Sequence, residues 1–205
     1  HVTEEKAPVI NPDIPHGILV AEFEYIAHTA FQANEDRARA SEFFLISFGT
    51  LLAAVLTTQF TNVDAQFLYR LFIILFSVVA AWGALTVLQL SRLRQAWLES
   101  VRAMNTIKDI IIDQSPHMRG YFRWRTATIP KAFKPWSVGF LLALQVSMVS
   151  GIALGATCAL GFLLAGKNDV PWFWVILVVS VSIIVYLVCL YYLPLRKIDR
   201  KRAGK

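Results

Sequence analysis

The sequence predicts an all-α integral membrane protein. It reads as four transmembrane helices in two antiparallel hairpins, with cytoplasmic juxtamembrane helices extending spans one and two. Three observations carry this. The chain is 56% hydrophobic and only 17% charged, against roughly 25% charged residues in a soluble domain. Its apolar residues gather into four long runs without a charge, each near the roughly 20 residues that carry a helix across a bilayer core. The Lys and Arg excess falls on alternate connections, the pattern that orients spans in a membrane. The same figures exclude a disordered chain, a disulfide scaffold, a collagen and a nuclear basic protein.

Residues 1–17 hold Pro8, Pro12, Pro15 and Gly17 and read as an extended arm. From Ile18 the pattern turns helical: Leu19, Phe23, Ile26 and Ala30 recur at spacings of 4, 3 and 4, one apolar seam of an amphipathic helix. No Gly or Pro separates that helix from the first span, residues 43–60. This span begins too late in the chain, and with too little basic flank, to read as a signal peptide. The second span, 71–90, runs without a breaker into Ser91–Gln114, where Trp97, Val101, Met104 and Ile111 form a second stripe with Ile107 beside it. Residues 18–114 thus read as one helical hairpin whose arms continue into the cytoplasm and pack by these stripes. The third span, 138–166, is long enough to tilt or project past the lipid. The fourth, 171–195, opens on Pro171, where a missing N–H costs nothing. Residues 196–205 form a basic tail.

Charge bookkeeping sets the orientation. Residues 1–44 have a net charge of −5, residues 91–135 of +6 and the tail from Leu195 of +5, while the two short loops are neutral. Both termini and the middle connection are therefore expected in the cytoplasm, with the protein multi-pass in the cell membrane. Pairing of the acidic N-terminal segment with the basic connection is the simplest account of the opposed charge runs.

The connection 115–137 interleaves cations and rings: Arg119, Tyr121, Phe122, Arg123, Trp124, Arg125, Lys131, Phe133, Lys134 and Trp136. Rings at the membrane boundary with cations on anionic headgroups suit this texture, so Arg119, Arg123, Arg125, Lys131 and Lys134 are candidate anion or lipid-headgroup contacts. An anion pocket for a nucleotide or phosphate built from Arg119, Arg123 and Arg125 is an alternative. Stacking on single-stranded nucleic acid uses the same chemistry, but the tether to span three disfavours it, and no nucleic-acid partner is expected.

No catalytic residue, metal ligand set or cofactor site is expected. His1, His16, His28 and His117 lie outside the spans, which leaves no axial ligands for an intramembrane haem. Cys158 and Cys189 sit one per span without a CxxC. No P-loop, dinucleotide-binding glycine pattern or HExxH occurs. The 92 span residues contain no Asp, Glu, Lys, Arg or His. That argues against a proton-coupled antiporter, a pump and a voltage sensor.

Two stripes remain. In span one, Ser47, Thr50, Ala54, Thr57 and Thr61 share a face that would line a water-filled path or receive another helix. In span three, Ser147, Gly151, Gly155 and Ala159 form a small-residue ridge for helix contact, within one chain or between chains, and Gln145 in that span needs a partner.

The unit from Ala21 to Gln114, a juxtamembrane helix, a tight two-span hairpin and a returning helix, resembles the SLATT-type membrane effectors of bacterial defence systems. The resemblance is architectural. It implies pore formation or membrane disruption after a nucleotide signal. This chain departs from it by a second hairpin, and its sequence shows no recognisable nucleotide-sensing domain. The runs Asn34–Arg39 and Trp97–Lys108 also resemble stretches of small multi-span bacterial membrane proteins, which implies a bacterial source. Together these readings predict a homo-oligomeric pore or channel with a cytoplasmic helical gating or sensing region. The alternative is a non-conducting accessory or scaffold subunit of a larger membrane complex. Anionic lipids, further copies of the chain and other membrane subunits are the expected partners.

Overall fold

In a computed structural model, residues 16–57, 63–167 and 169–203 are described, and among them every regular element is helical. The expected extended arm, the outer end of span one and Thr61 lie outside the described residues. The helices are α1 (His16–Thr57), α2 (Ala65–Gln114), α3 (Val138–Leu164), α4 (Trp172–Val185) and α5 (Leu193–Ala203). Short 3-10 turns at Pro116–Gly120 and Thr126–Thr128 interrupt the connection between α2 and α3. Four helices are long and apolar enough to cross a membrane. α1 has 42 residues and α2 has 50, so each continues well past its apolar stretch without a break.

Helix ends follow local chemistry. Ser137 caps α3, its side chain accepting from the Phe140 N–H at 3.3 Å. At the other end Gly166 adopts φ +75, and the Lys167 N–H reaches the Phe162 carbonyl while the Gly166 N–H reaches Leu163. This paired 6→1 and 5→2 closure needs a left-handed residue that glycine supplies without strain. Beyond α4 the helix does not stop at a solvated tail. It widens to π geometry over Tyr186–Tyr192 and continues as α5. Pro194 explains the widening: it cannot donate to the Leu190 carbonyl and its ring would press on it, so the turns before it open.

The chain divides into two compact units. The described part of the first is residues 16–32 and 96–130. Ile26, Ala30, Leu98, Asn105 and Ile112 are buried there. The buried α2 positions fall one residue beside the expected stripe, whose members Trp97, Val101, Met104, Ile107 and Ile111 are half-buried. A cavity of about 590 Å³ is lined by residues of both helical arms, including Leu19, Phe23, Ile107 and Ile111, and the Lys108 ammonium lies 5.5 Å from the centre of the Phe23 ring. The Asp109 carboxylate accepts from Arg125 Nε at 2.9 Å and from the Thr126 N–H at 3.2 Å.

The second unit holds residues 33–95 and 131–203 where described. Its most buried helix is α3: 44% of its most apolar window is inside the structure, against 28% for α2, 11% for α1 and 6% for the helix Trp172–Arg200. α3 meets α4 in opposite sequence order. A Cβ on Gly151 would stand 2.7 Å from Ile183 Cγ1 and 3.1 Å from the Val179 carbonyl, and one on Gly155 would strike Val179. α2 meets α3 where Gly83 faces the Ser150 hydroxyl, with the Phe44 ring of α1 beside them.

Candidate functional site

The two polar stripes have different places in the second unit. In α3, Ser147, Gly151 and Gly155 are buried, and Ala159 is half-buried. The Ser147 and Ser150 hydroxyls each donate to their own helix, at 2.7 Å to the Ala143 and Val146 carbonyls. That back-bonding satisfies them inside a close helix contact. In α1, Thr50, Ala54 and Thr57 are exposed and Ser47 is half-buried. The Thr57 hydroxyl is likewise turned onto its own helix, 2.9 Å from the Ala53 carbonyl. Gln145 is exposed.

Arg119 and Arg123 are exposed, and Arg125 is committed to Asp109. Lys131 and Lys134 are exposed in the second unit. Arg39 pairs with Glu35 one turn away at 3.6 Å, an exposed contact worth little. Neither of these pairs joins the acidic N-terminal segment to the basic connection. No group of His, Cys, Asp and Glu suited to a metal occurs among the described residues.

A different cluster of charges is built into the second unit. The buried face of α1 runs Ala33, Arg37, Ser41 and Phe44, and that of α2 runs Val87, Ser91 and Arg94. An arginine thus occupies a core position on each helix, beyond the apolar stretch of each. Both side chains are 9% exposed, and they stand close enough for their charges to repel. Arg94 Nε donates to the Ala132 carbonyl at 3.3 Å. Asp199 of α5 accepts from the N–H groups of Ala132, at 2.9 Å, and Phe133, at 3.4 Å. Its negative charge also acts on Arg94. One fully buried residue, Ala132, is therefore clamped between a cation on α2 and an anion on α5.

Arg37 hydrogen-bonds Asn34, while its Nε is buried without a partner among the described residues. Gly139 makes room for the guanidinium: a Cβ there would lie 2.9 Å from Arg37 Nη1 and 3.0 Å from the Tyr191 hydroxyl. Among the described residues, two buried cations and the carboxylate that acts on Arg94 leave the cluster net positive. Arginine does not release its proton in a protein, so the cluster holds charge rather than transferring protons. Sequence reasoning missed it. The available signal was Arg37 and Arg94 falling on the buried period of helices whose other residues at those positions are small or apolar.

No protein-family model, curated protein or solved structure matches the chain.

Proposed function

We propose that the chain is an integral membrane protein with its four spans in two antiparallel hairpins. Both termini and the α2–α3 connection face the cytoplasm, and copies assemble into a pore. The observation that supports this best is the exposed stripe of Thr50, Ala54 and Thr57 on α1. An apolar helix with a hydroxyl-bearing face that its own chain leaves uncovered is suited to line an axis formed by several copies. The first unit, with its apolar cavity and its Asp109–Arg125 clamp, is suited to act as the cytoplasmic gating or sensing part. No enzymatic role is proposed.

Reconstitution in liposomes tests this directly. Wild-type protein is expected to pass ions, and Thr50→Leu with Thr57→Leu to lower the flux by at least about tenfold, because an apolar constriction dewets. Wild-type protein without conductance overturns the pore reading.

The second reading, a non-conducting accessory subunit, is favoured by the Thr57 hydroxyl, whose bond to its own helix leaves the face free for helix contact rather than water. Purification in mild detergent separates the two. A symmetric assembly of this chain alone supports the pore, and stoichiometric co-purification of other membrane subunits supports the accessory role.

A further inference from the structure

Two small cavities lie side by side against α5, both in the second unit. One, of about 240 Å³, is lined by Arg196, Lys197 and Arg200 over Cys189, Leu193 and Pro194. The other, of about 340 Å³, is lined by Arg92, Gln95 and Lys197 with Leu88, Pro194 and Ile198. Lys197 and Pro194 belong to both. Among the described residues, no carboxylate lines either cavity. Asp199, the acidic residue of α5, is spent on the N–H groups of Ala132 and Phe133. Each cavity is also two-sided in chemistry. Its lining combines cations with apolar residues, Leu88 in one and Leu193 in the other.

We infer that this pair of cavities is a site for an anionic phospholipid carrying two phosphates, one seated in each cavity and both touching Lys197. A compact ammonium with three donors can serve two acceptors at once, and the flanking guanidinium groups match phosphate oxygens in a fork. The apolar residues offer the acyl chains a continuous surface. Four cations without a carboxylate suit a doubly charged headgroup better than a single phosphodiester, because the second charge is neutralised in place rather than left to salt. This rests on the reading that the basic ends of α2 and α5 lie at the cytoplasmic membrane interface.

Native mass spectrometry of the full chain in mild detergent tests it, with cardiolipin, phosphatidylglycerol and phosphatidylethanolamine as probes. One cardiolipin per chain is expected to bind about thirtyfold more tightly than phosphatidylglycerol, as two extra headgroup contacts near a surface would give. Lys197→Gln should bring the two lipids to parity, whereas Lys197→Arg, which keeps the charge, should retain the preference and shows that the fold survives at this position. Lys167→Gln, past the C-terminal end of α3, should leave it unchanged. Equal binding of cardiolipin and phosphatidylglycerol by the wild type, or an unaltered preference in Lys197→Gln, overturns the inference. Displacement of the lipid by equimolar inorganic pyrophosphate also overturns it, and reassigns the cavities to a soluble diphosphate. Carbonate extraction of cell membranes tests the underlying reading separately. Release of the chain into the soluble fraction defeats the membrane assignment, while retention together with equal lipid binding defeats only the lipid site.

Discussion

α1 and α3 carry the same kind of sequence signal, small and hydroxyl residues repeating every three or four positions in an apolar run, yet the structure treats them oppositely. The α3 face is buried against α2 and α4, and the α1 face is open. The difference lies in glycine. Gly151 and Gly155 let α4 come within side-chain contact of the α3 backbone, and Gly83 does the same for α2 at Ser150. Gly49, in the first span, has nothing within 4 Å of where a Cβ would be. On the proposal that these helices lie in lipid, there is little hydrophobic gain in bringing two apolar helices together, so close backbone approach and the dispersion contacts it allows decide which faces pair. A hydroxyl stripe without closely apposed glycines stays available.

The sharpest way to break that contrast is to fill the glycines. Gly151→Val is expected to destabilise the protein by about 2–3 kcal/mol, since the new side chain meets the fixed Val179 carbonyl as well as Ile183 and overpacking is not relieved by a rotamer change. Gly49→Ala should be neutral or stabilising by up to about 1 kcal/mol through helix propensity alone. Thermal unfolding of both variants in one detergent gives the comparison. Equal losses would show that the α3 contact is not held by close approach.

The four long apolar helices were legible because charge-free length is a property of composition. Ser137 caps α3 and Gly166 closes it, at the two ends of the expected third span. The continuation of α5 was not legible. Arg196, Lys197 and Arg200 read as a solvated tail, and nothing local shows that the π turns before Pro194 let the helix carry on. The α2 stripe was displaced by one residue because Trp97 and Met104 outweigh a polar residue in any apolar count, whereas the buried position belongs to Asn105. The arginine cluster needs four segments brought together, and no spacing within one helix reports that.

A second contrast lies between the two buried arginines. Arg94 has the Ala132 carbonyl and the charge of Asp199, while Arg37 has Asn34 and an unpartnered Nε. Asp199→Asn removes the carboxylate that acts on Arg94 and holds the N–H groups of Ala132 and Phe133, and is expected to cost about 2 kcal/mol, the range for a hydrogen bond to a charged group. Arg37→Met is expected to cost less than about 1 kcal/mol, because it also removes a charge repelled by Arg94. In the Asp199→Asn background the Arg37→Met change should become stabilising. Thermal midpoints of the two single variants and the double variant form the cycle that checks this. Additive losses would mean that Asp199 and Arg37 are not coupled through Arg94.

The smallest effect belongs to the first unit, where one carboxylate holds the turn after α2. Asp109 lies well beyond the apolar stretch of its helix. Burial alone would raise its pKa, but hydrogen bonds from Thr126 and Arg125, together with the guanidinium charge, outweigh burial and lower it. A carboxylate depressed in the folded state contributes stability that is complete above its unfolded pKa, about 3.9, and is lost as pH falls through the folded value. The clamp is therefore intact at neutral pH and releases only in acid. Asp109→Asn should cost about 0.5–1 kcal/mol at pH 7, the range of a partly exposed ion pair with good geometry. Hydrogen exchange resolves so local a change. Amides of 121–128 should exchange faster in the variant at pH 7 while those of α3 are unaffected, and the gap between variant and wild type should close as the pH is taken below about 4. A gap that persists in acid would mean that packing of the Pro116–Thr128 turns, rather than the charge on Asp109, holds this segment to the end of α2.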